Sequence, residues 1–316
     1  MDKKFKEKPF SIGLLLTDGF ALMSYASLIE PLRAANLLKA KELYKITNIA
    51  VQSSRVRSSS GAIIPTKDAT SDIFDLVLII TGGNPQKVEN PALLDTLRRL
   101  SRSKTIVGGV SGGPYILAAA GLMHGYRMTV HWEHAPSMQE RWPDLLLERS
   151  LYILDRKRIT CAGGTAPMDL MHYLISEHHG HKFARKVSDW FMHTDFRPAA
   201  GPQRAGLVER VGVTNRAILD TIEAMENHIS DPLNLIELSR IAGISARQLN
   251  RLYKIKLNIS TMGYYRDIRL EIAQNLLRNS SLSVTEISLA TGFSGSAHFS
   301  SCYSRKYGKS PSAHRH

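Results

Sequence analysis

Two copies of one short pattern in the last third of the chain constrain the fold more than any other sequence feature. Residues 234–245 align with residues 283–294 at an offset of 49, and the residues that follow align at an offset of 50. Tyr253 then coincides with Tyr303. An internal repeat of this kind predicts two copies of one supersecondary unit.

Each copy carries the signals for a helix, a tight turn and a second helix. In both, a capping box begins the first helix and a glycine stands where a left-handed residue would end it. The residues concerned are Asn234, Glu237 and Gly243 in the first copy and Ser283, Glu286 and Gly292 in the second. The sequence therefore predicts two helix-turn-helix units, at about residues 234–254 and 283–307.

The outward positions of the second helices carry side chains that hydrogen-bond base edges and phosphates in protein–DNA complexes. These are Arg247, Gln248, Asn250, Arg251 and Lys254 in the first unit, and Ser296, His298, Ser300, Ser301 and Arg305 in the second. A helical bundle with a polar surface would explain one such face equally well. Because two copies share the caps and the turn, we interpret both as recognition helices that bind double-stranded DNA.

Charge supports this interpretation without establishing it. The formal net charge is +13, and residues 246–316 contain 11 lysines and arginines against 3 acidic residues. The rest of the chain is also basic. A basic surface attracts phosphate without regard to sequence, so charge alone does not identify DNA as the partner.

Length and composition bound the remaining possibilities. A chain of 316 residues with 43% hydrophobic content predicts two packed domains. It has no run of 18 apolar residues for a membrane helix, and the segment MDKKFKEKPF is not organised as a secretory signal. Cys161 and Cys302 lie far apart. We expect a soluble cytoplasmic protein associated with the nucleoid, without a disulfide, metal or cofactor.

The first 197 residues alternate short apolar segments with helical ones. Strands are predicted at 11–17, 44–51, 76–80, 105–110, 151–154 and 158–161, and helices at 22–38, 90–101, 114–120 and 165–179. This alternation predicts an α/β doubly wound, flavodoxin-like domain whose pocket lies at the carboxyl ends of the strands. Residues 198–214 break the periodicity and predict a linker, followed by an all-α domain over 215–316.

One edge of the predicted sheet gathers candidate functional residues. Residues 109–113 form a strand–turn–helix pattern with Ser111 at the apex, like a nucleophile elbow. The amides after the apex would favour an anion. His131 as base and Glu30 as its orienter would complete a hydrolytic set. The alternative is a structural serine in a glycine turn, a pocket-lining histidine and a capping or ligand-binding glutamate.

Further candidates for ligand binding surround the same edge. Tyr25 and Trp132 are aromatic residues that would enclose a cation, although both would serve equally as core residues. Gly83 belongs to a tight turn after a predicted strand. With Glu30, Ser111, Gly112 and His131, these residues make up the predicted ligand site.

Both halves of the chain resemble known families. Residues 1 to about 200 resemble the PfpI/ThiJ superfamily, also called class I glutamine-amidotransferase-like. The stretches that carry this resemblance are 18–20, 29–36, 81–83, the Ser111 elbow, 129–132 and 160–165. Residues from about 216 onward resemble the AraC family of transcription regulators, most closely at 284–293, Phe299 and 307–311. The fusion resembles the GlxA-type branch of AraC regulators.

The resemblance implies a ligand-responsive, sequence-specific transcription regulator. It implies an activator of a catabolic operon that forms a homodimer and acts with RNA polymerase. Residues 29–36 look most like members that sense glycine betaine, carnitine or arginine. A small amine or zwitterion would place its carboxylate on the amides of Ser111 and Gly112, and its cation near Trp132, Tyr25 or Glu30.

The resemblance also places Glu30, Ser111 and His131 at the catalytic positions of the superfamily. The enzymes have cysteine at the elbow, and serine is a far poorer nucleophile because its hydroxyl stays protonated at neutral pH. The site is therefore expected to be a degenerate triad in a protein that is not an enzyme. Two alternatives stay open: a PfpI-like hydrolase or deglycase with a DNA-binding tail, and a nucleoid protein without a ligand.

Overall fold

A computed structural model describes residues 8–69 and 73–315. The chain divides into two compact units between Gln203 and Arg204, a point within the segment 198–214 that is predicted to be a linker. Residues 1–7, which begin the segment interpreted as lacking a secretory signal, lie outside the described residues. Each unit is built around its own hydrophobic cores.

The first unit is an α/β sandwich around a seven-stranded sheet in the order β10-β11-β7-β6-β1-β2-β5. In chain order the described strands are β1 (Phe10–Leu16), β2 (Tyr44–Ala50), β3 (Arg55–Arg57), β4 (Ile63–Pro65), β5 (Lys67–Asp68), β6 (Leu76–Thr81), β7 (Ile106–Ser111), β8 (Arg127–Met128), β9 (Leu146–Leu147), β10 (Tyr152–Asp155) and β11 (Arg158–Cys161). All neighbours in this sheet are parallel except β10 and β11. The predicted doubly wound fold is confirmed.

Helices cover both faces of the sheet. They are α1 (Leu22–Lys39), α2 (Pro91–Arg102), α3 (Gly113–Ala119), α4 (Ala135–Arg141), α5 (Ala166–His179) and α6 (His181–Trp190). Leu14 packs in the core beneath α1 and α5, whereas its neighbour Leu15 packs in the core beneath α2 and α3. Since successive residues of a strand face opposite sides, burial on both sides explains the uninterrupted apolar sequence of β1.

Two features of the first unit escape prediction from sequence. The hairpin of β3 and β4 has only one buried side chain, Val56, so it shows little apolar alternation. Helix α6 follows α5 directly after Gly180, whose φ is 85°. Its only buried apolar residues are Ala184 and Val187. Neither element carries enough apolar periodicity to be recognised.

The second unit is helical, as predicted. Its helices are α7 (Leu207–Val211), α8 (Arg216–Asn227), α9 (Leu235–Ile241), α10 (Ala246–Leu257), α11 (Thr261–Asn279), α12 (Val284–Ala290) and α13 (Ser296–Tyr307). One core forms around Leu249 and Tyr265, and the other around Leu276 and Phe299. Tyr265 and Leu276 both belong to α11, so this helix contributes to both cores.

The sequence repeat appears in the structure residue by residue. Helices α9 and α12 each have seven residues at an offset of 49, and α10 and α13 each have twelve at an offset of 50. The additional residue is Gly295, which precedes α13 in an extended conformation with φ 175°. Both predicted capping boxes form. Gly243 and Gly292 have φ of 65° and 69°, the left-handed turn that was predicted.

Acidification is expected to destabilise the first unit through His134. Burial lowers the pKa of this imidazole to about 3, with a smaller contribution from His131. Because the folded pKa lies below the unfolded value, the unfolded chain binds more protons and stability falls as pH drops below about 6.5. From pH 7 to pH 5, His134 alone should remove about 2 kcal/mol of unfolding free energy.

Urea unfolding followed by tryptophan fluorescence measures this effect, because Trp132, Trp142 and Trp190 all lie in the first unit. His134→Leu should reduce the loss of stability between pH 7 and 5 by about 2 kcal/mol, the share that His134 contributes. His124 is exposed, so His124→Gln serves as the control and should retain it. An unchanged pH dependence in His134→Leu would contradict the assignment.

Candidate nucleic-acid interface and candidate ligand site

The first recognition helix, α10, presents two arginines to solvent. Arg247 and Arg251 are exposed, and neither side chain forms a hydrogen bond or ion pair with another residue of 8–69 or 73–315. Four residues apart on a helix, they lie on the same face. Two guanidinium groups without intramolecular partners provide donors for phosphates or for the O6 and N7 atoms of guanine.

Two other side chains of α10 that were predicted to contact DNA form hydrogen bonds within the protein. Gln248 Oε1 accepts from the backbone nitrogen of Ser245 at 3.0 Å, closing a third capping box that the sequence analysis missed. Asn250 Oδ1 accepts from Thr261 N at 3.1 Å and so attaches α10 to the start of α11. In the sequence repeat, at an offset of 50, the residue equivalent to Thr261 is Pro311. Proline has no N–H, so the second helix-turn-helix unit lacks this bond.

Lys254 and the second recognition helix complete the predicted surface. Lys254 is exposed, and its Nζ donates to Asn258 O at 3.3 Å at the end of α10. On α13, His298, Ser301 and Arg305 are exposed. Ser296 and Ser300 are partly buried. Of the predicted contacts on α13, only Arg305 carries a fixed positive charge, whereas α10 supplies three.

The connecting helix α11 fixes the spacing of the two helix-turn-helix units. Its 19 residues span about 28 Å at the rise of an α-helix. Arg269 of α11 donates from Nε to Thr291 O at 2.7 Å, and its guanidinium lies 4.2 Å from the centre of the Phe293 ring. The turn of the second helix-turn-helix unit is therefore bonded directly to the connecting helix. Adjacent major grooves on one face of DNA are about 34 Å apart, a distance comparable to this spacer.

In the first unit, the predicted elbow is present at the end of β7. Ser111 has φ 61°, a left-handed conformation that is uncommon for a residue with a side chain. The backbone around this turn lies close to neighbouring segments. A Cβ on Gly113 would lie 2.1 Å from Ile79 O. Likewise, a Cβ on Gly163 would lie 2.7 Å from Ser111 Cβ. The glycines around Ser111 are thus required by packing.

The amide of Gly112, which was expected to bind an anion, has an acceptor within the protein. Gly112 N donates to Thr81 O at 2.9 Å on the neighbouring strand β6. A ligand carboxylate would have to break this bond, because one amide hydrogen cannot serve both acceptors well. The structure therefore gives this amide an acceptor within the protein and does not support a carboxylate there.

The structure brings Ser111 and His131 together through the backbone and leaves Glu30 apart. His131 N donates to Ser111 O at 3.3 Å. Ser111 Oγ forms no hydrogen bond within residues 8–69 and 73–315. Glu30 accepts from Arg33 Nη2 at 2.6 Å, and no bond joins it to Ser111 or His131. The carboxylate nearest His131 is that of Glu133, 4.0 Å from Nδ1.

Burial lowers the pKa of His131, with Glu133 opposing the change, so the imidazole is neutral at neutral pH. The hydrogen-bonded Ser–His–Glu chain that was considered from sequence is not assembled. Glu133 was missed because it lies two residues after His131, and that spacing carries no recognised pattern.

The aromatic candidates differ in accessibility. Tyr25 is buried in the core, and its hydroxyl accepts from Asn48 Nδ2 at 3.1 Å on β2. Trp132 is 44% exposed, with its ring centre 5.4 Å from that of His131. Gly83 is exposed, with φ 57°. Trp132 is therefore the aromatic side chain of this pair that a solvent-borne ligand can reach.

Ser24 is a site neighbour that sequence reasoning overlooked. Its hydroxyl accepts from Gly164 N at 2.9 Å, and a Cβ on Gly163 would lie 3.0 Å from it. Ser24 thus lies behind the elbow, on the buried face of α1. The available signal was the pair of small polar residues, Ser24 and Ser27, among the apolar residues of the buried face of α1.

Comparison with known proteins identifies both units. A helix-turn-helix domain model matches residues 238–316, and the DJ-1/PfpI family model matches residues 11–177. The HTH-type transcriptional regulator GlxA of Rhizobium meliloti is 44% identical over 96% of this chain and 95% of its own length. The chain belongs to the AraC-type transcription regulators that carry a DJ-1/PfpI domain.

Other relatives of this regulator agree. The HTH-type transcriptional regulator CdhR of Pseudomonas aeruginosa is 38% identical over 95% of this chain and 90% of its own length. The crystal structure of an AraC family transcriptional regulator from Pseudomonas putida is similar with a TM-score of 0.53 at 25% identity, covering 58% of this chain and 100% of that one. The regulator thus binds DNA and regulates transcription.

Cys161 is the cysteine of the DJ-1/PfpI domain, and its burial disfavours the thiolate form. Cys161 is fully buried on β11, and burial raises the pKa of its thiol to about 12. The thiolate is the nucleophilic form of cysteine, so Cys161 cannot replace a catalytic thiol at Ser111.

No described helix is both long and apolar enough to cross a membrane.

Proposed function

We propose that the regulator is a sequence-specific activator of a catabolic operon that responds to a small amine or zwitterion. The ligand binds beside Ser111 in a DJ-1/PfpI domain that has lost catalysis. The protein acts as a homodimer with RNA polymerase, at the nucleoid in the cytoplasm. The observation that carries the DNA-binding part is the pair of capped helix-turn-helix units, with Arg247 and Arg251 exposed on the first recognition helix.

The side chains at the elbow support binding over catalysis. A serine nucleophile needs a base within hydrogen-bonding reach, and Ser111 Oγ has no such partner among the described residues. His131 is neutral and accepts at Nδ1 from Glu133 N at 3.3 Å. Retention of the left-handed elbow with a serine in place of cysteine fits a pocket kept for ligand binding.

The accessible side chains suit a ligand that carries both charges. Trp132 offers an aromatic face to a quaternary or primary ammonium group. Glu30 and Arg33 form an ion pair of 2.6 Å in which both side chains stay about half exposed. We propose a ligand of the class of glycine betaine, carnitine or arginine, with its ammonium against Trp132. Its carboxylate must find a donor other than Gly112.

Calorimetry of the full chain with glycine betaine, carnitine, dimethylglycine and arginine tests this proposal. At least one compound should bind, and Trp132→Ala should weaken that binding by about 1–2 kcal/mol through loss of the cation–π contact. Trp190 is also half exposed but lies on α6, so Trp190→Ala is the matched control and should bind normally. If none of the four compounds gives heat, the proposed ligand class is wrong.

The second candidate is a hydrolase or deglycase with a DNA-binding tail, which the strained conformation of Ser111 favours. Ser111→Ala distinguishes the two functions. Turnover of a small-molecule substrate that disappears in Ser111→Ala would support the enzyme. Transcription that still responds to ligand in Ser111→Ala would support the sensor.

A further inference from the structure

Gln203, the last residue of the first unit, is bound to the segment that leads into the candidate ligand site. Its Nε2 lies 2.9 Å from Thr129 Oγ1, 3.0 Å from Val130 O and 2.8 Å from Ser150 O. The residue that follows it, Arg204, begins the second unit. We name this set of hydrogen bonds the Gln203 latch.

One acceptor of the latch shares a peptide group with the candidate ligand site. The carbonyl of Val130 accepts from Gln203. The N–H of the same peptide belongs to His131 and donates to Ser111 O at 3.3 Å. Because a peptide group is planar, its C=O and N–H cannot tilt independently. A displacement of the backbone at Ser111 is therefore transmitted to Gln203 through one rigid group.

The chain just before Gln203 is held at the same place. Ala199 O accepts from Leu151 N at 2.8 Å, next to the latch acceptor Ser150. Gln203 Oε1 is buried and has no hydrogen-bond partner among residues 8–69 and 73–315. A buried acceptor without a partner makes the engaged side chain less favourable than a fully bonded one. The latch is thus held by the single donor atom Nε2, which lowers the free energy needed to release the side chain.

We propose that the Gln203 latch couples the ligand site to the DNA-binding unit. Ligand at Ser111 and His131 shifts the equilibrium between a state in which Gln203 makes these hydrogen bonds and a state in which they are broken. Because Arg204 follows Gln203 directly, the position of the chain at the start of the DNA-binding unit changes with it. This inference rests on the proposed function, because it assumes a ligand at that site. It requires the ligand to bind the two states of the latch with different affinity.

Substitution of Gln203 in the ligand-free, full-length protein tests the latch directly. Gln203→Glu keeps the shape but replaces the donor Nε2 by an oxygen facing three acceptors, and Gln203→Ala removes the group. Trypsin cleavage after Arg204 and hydrogen exchange of the His131 amide are both expected to rise at least tenfold in Gln203→Glu. Gln203→Ala should show the same changes to a smaller extent.

Asn36→Ala is the matched control. The Asn36 side chain also makes three hydrogen bonds to backbone atoms of the first unit, with Leu43 N, Tyr44 N and Tyr44 O. Asn36 belongs to α1, and its partners lie at the amino end of β2, whereas Ser111 lies at the carboxyl end of β7. Cleavage and exchange in Asn36→Ala should stay within twofold of the unsubstituted protein. Rates in Gln203→Glu that match those of Asn36→Ala or of the unsubstituted protein would overturn the latch.

The effect of ligand on trypsin cleavage distinguishes a latch that couples the two units from one that only stabilises the first unit. With whichever of glycine betaine, carnitine, dimethylglycine or arginine binds by calorimetry, cleavage after Arg204 should change at least threefold. Gln203→Glu should still bind the compound and lose this response. A compound that binds without changing cleavage overturns the latch while the sensor stands. If none binds, the proposed ligand class fails, and the ligand-free comparison still decides the latch.

Discussion

Gly292→Ala is expected to destabilise the carboxyl-terminal helix-turn-helix unit and to leave the DJ-1/PfpI domain unchanged. Gly292 has φ 69°, and a Cβ at this position would lie 2.5 Å from Pro232 Cγ and 2.6 Å from Ile229 O. The left-handed strain and the overlap with backbone should together cost roughly 3 kcal/mol or more. Far-UV circular dichroism should report a lower melting temperature, whereas fluorescence from the three tryptophans of the first unit should not change.

Gly243 supplies an internal control for this substitution. It occupies the same place in the first helix-turn-helix unit with φ 65°, but a Cβ there would meet no atom within 4 Å. Gly243→Ala should therefore cost only about 1 kcal/mol, from backbone strain without overlap. Equal losses in the two variants would show that the contact of the second turn with Ile229 and Pro232 is unimportant.

Arg247→Ala and Arg251→Ala are expected to produce the largest losses in DNA affinity. Each should weaken operator binding by about 1–3 kcal/mol if the side chain contacts a base, with relaxed specificity at that base pair. A phosphate contact would instead weaken binding to all sequences. It would also make the slope of log affinity against log salt concentration shallower by about 1. Gel shifts at two fixed salt concentrations distinguish these outcomes.

Arg216→Ala is the charge-matched control for these variants. Arg216 is 92% exposed at its side chain, lies on α8 and pairs with Asp220 at 3.5 Å. It lies outside both recognition helices, so its loss should change affinity only slightly. If Arg247→Ala and Arg251→Ala bind as tightly as Arg216→Ala, α10 is not the recognition helix.

The parts of the structure that follow from local spacing could be predicted from sequence. Asn234 and Glu237 form a capping box because their spacing alone brings side chain and backbone together. The parallel sheet followed from apolar runs such as β6. Gly292 was identified as a turn residue, although its contact with Pro232 was not.

What could not be predicted depends on contacts between distant segments. The donor of Gly112 is used by Thr81 on another strand, which spacing around the elbow does not reveal. Gln203 reaches an acceptor 74 residues earlier, at Thr129. The partner of Glu30 is Arg33 of its own helix, whereas the resemblance placed Glu30 in a triad. Such features become visible only when the fold is known.

We expect this chain to recognise a specific DNA sequence through two unequal helix-turn-helix units. Selection of genomic fragments by the full-length protein, followed by affinity measurement on the best fragment and on its scrambled sequence at physiological salt, tests it most directly. The selected fragment should bind at least about 1,000-fold more tightly, and Arg251→Ala should reduce that ratio. Nearly equal affinity for both sequences, with binding lost steeply as salt rises, would contradict the claim.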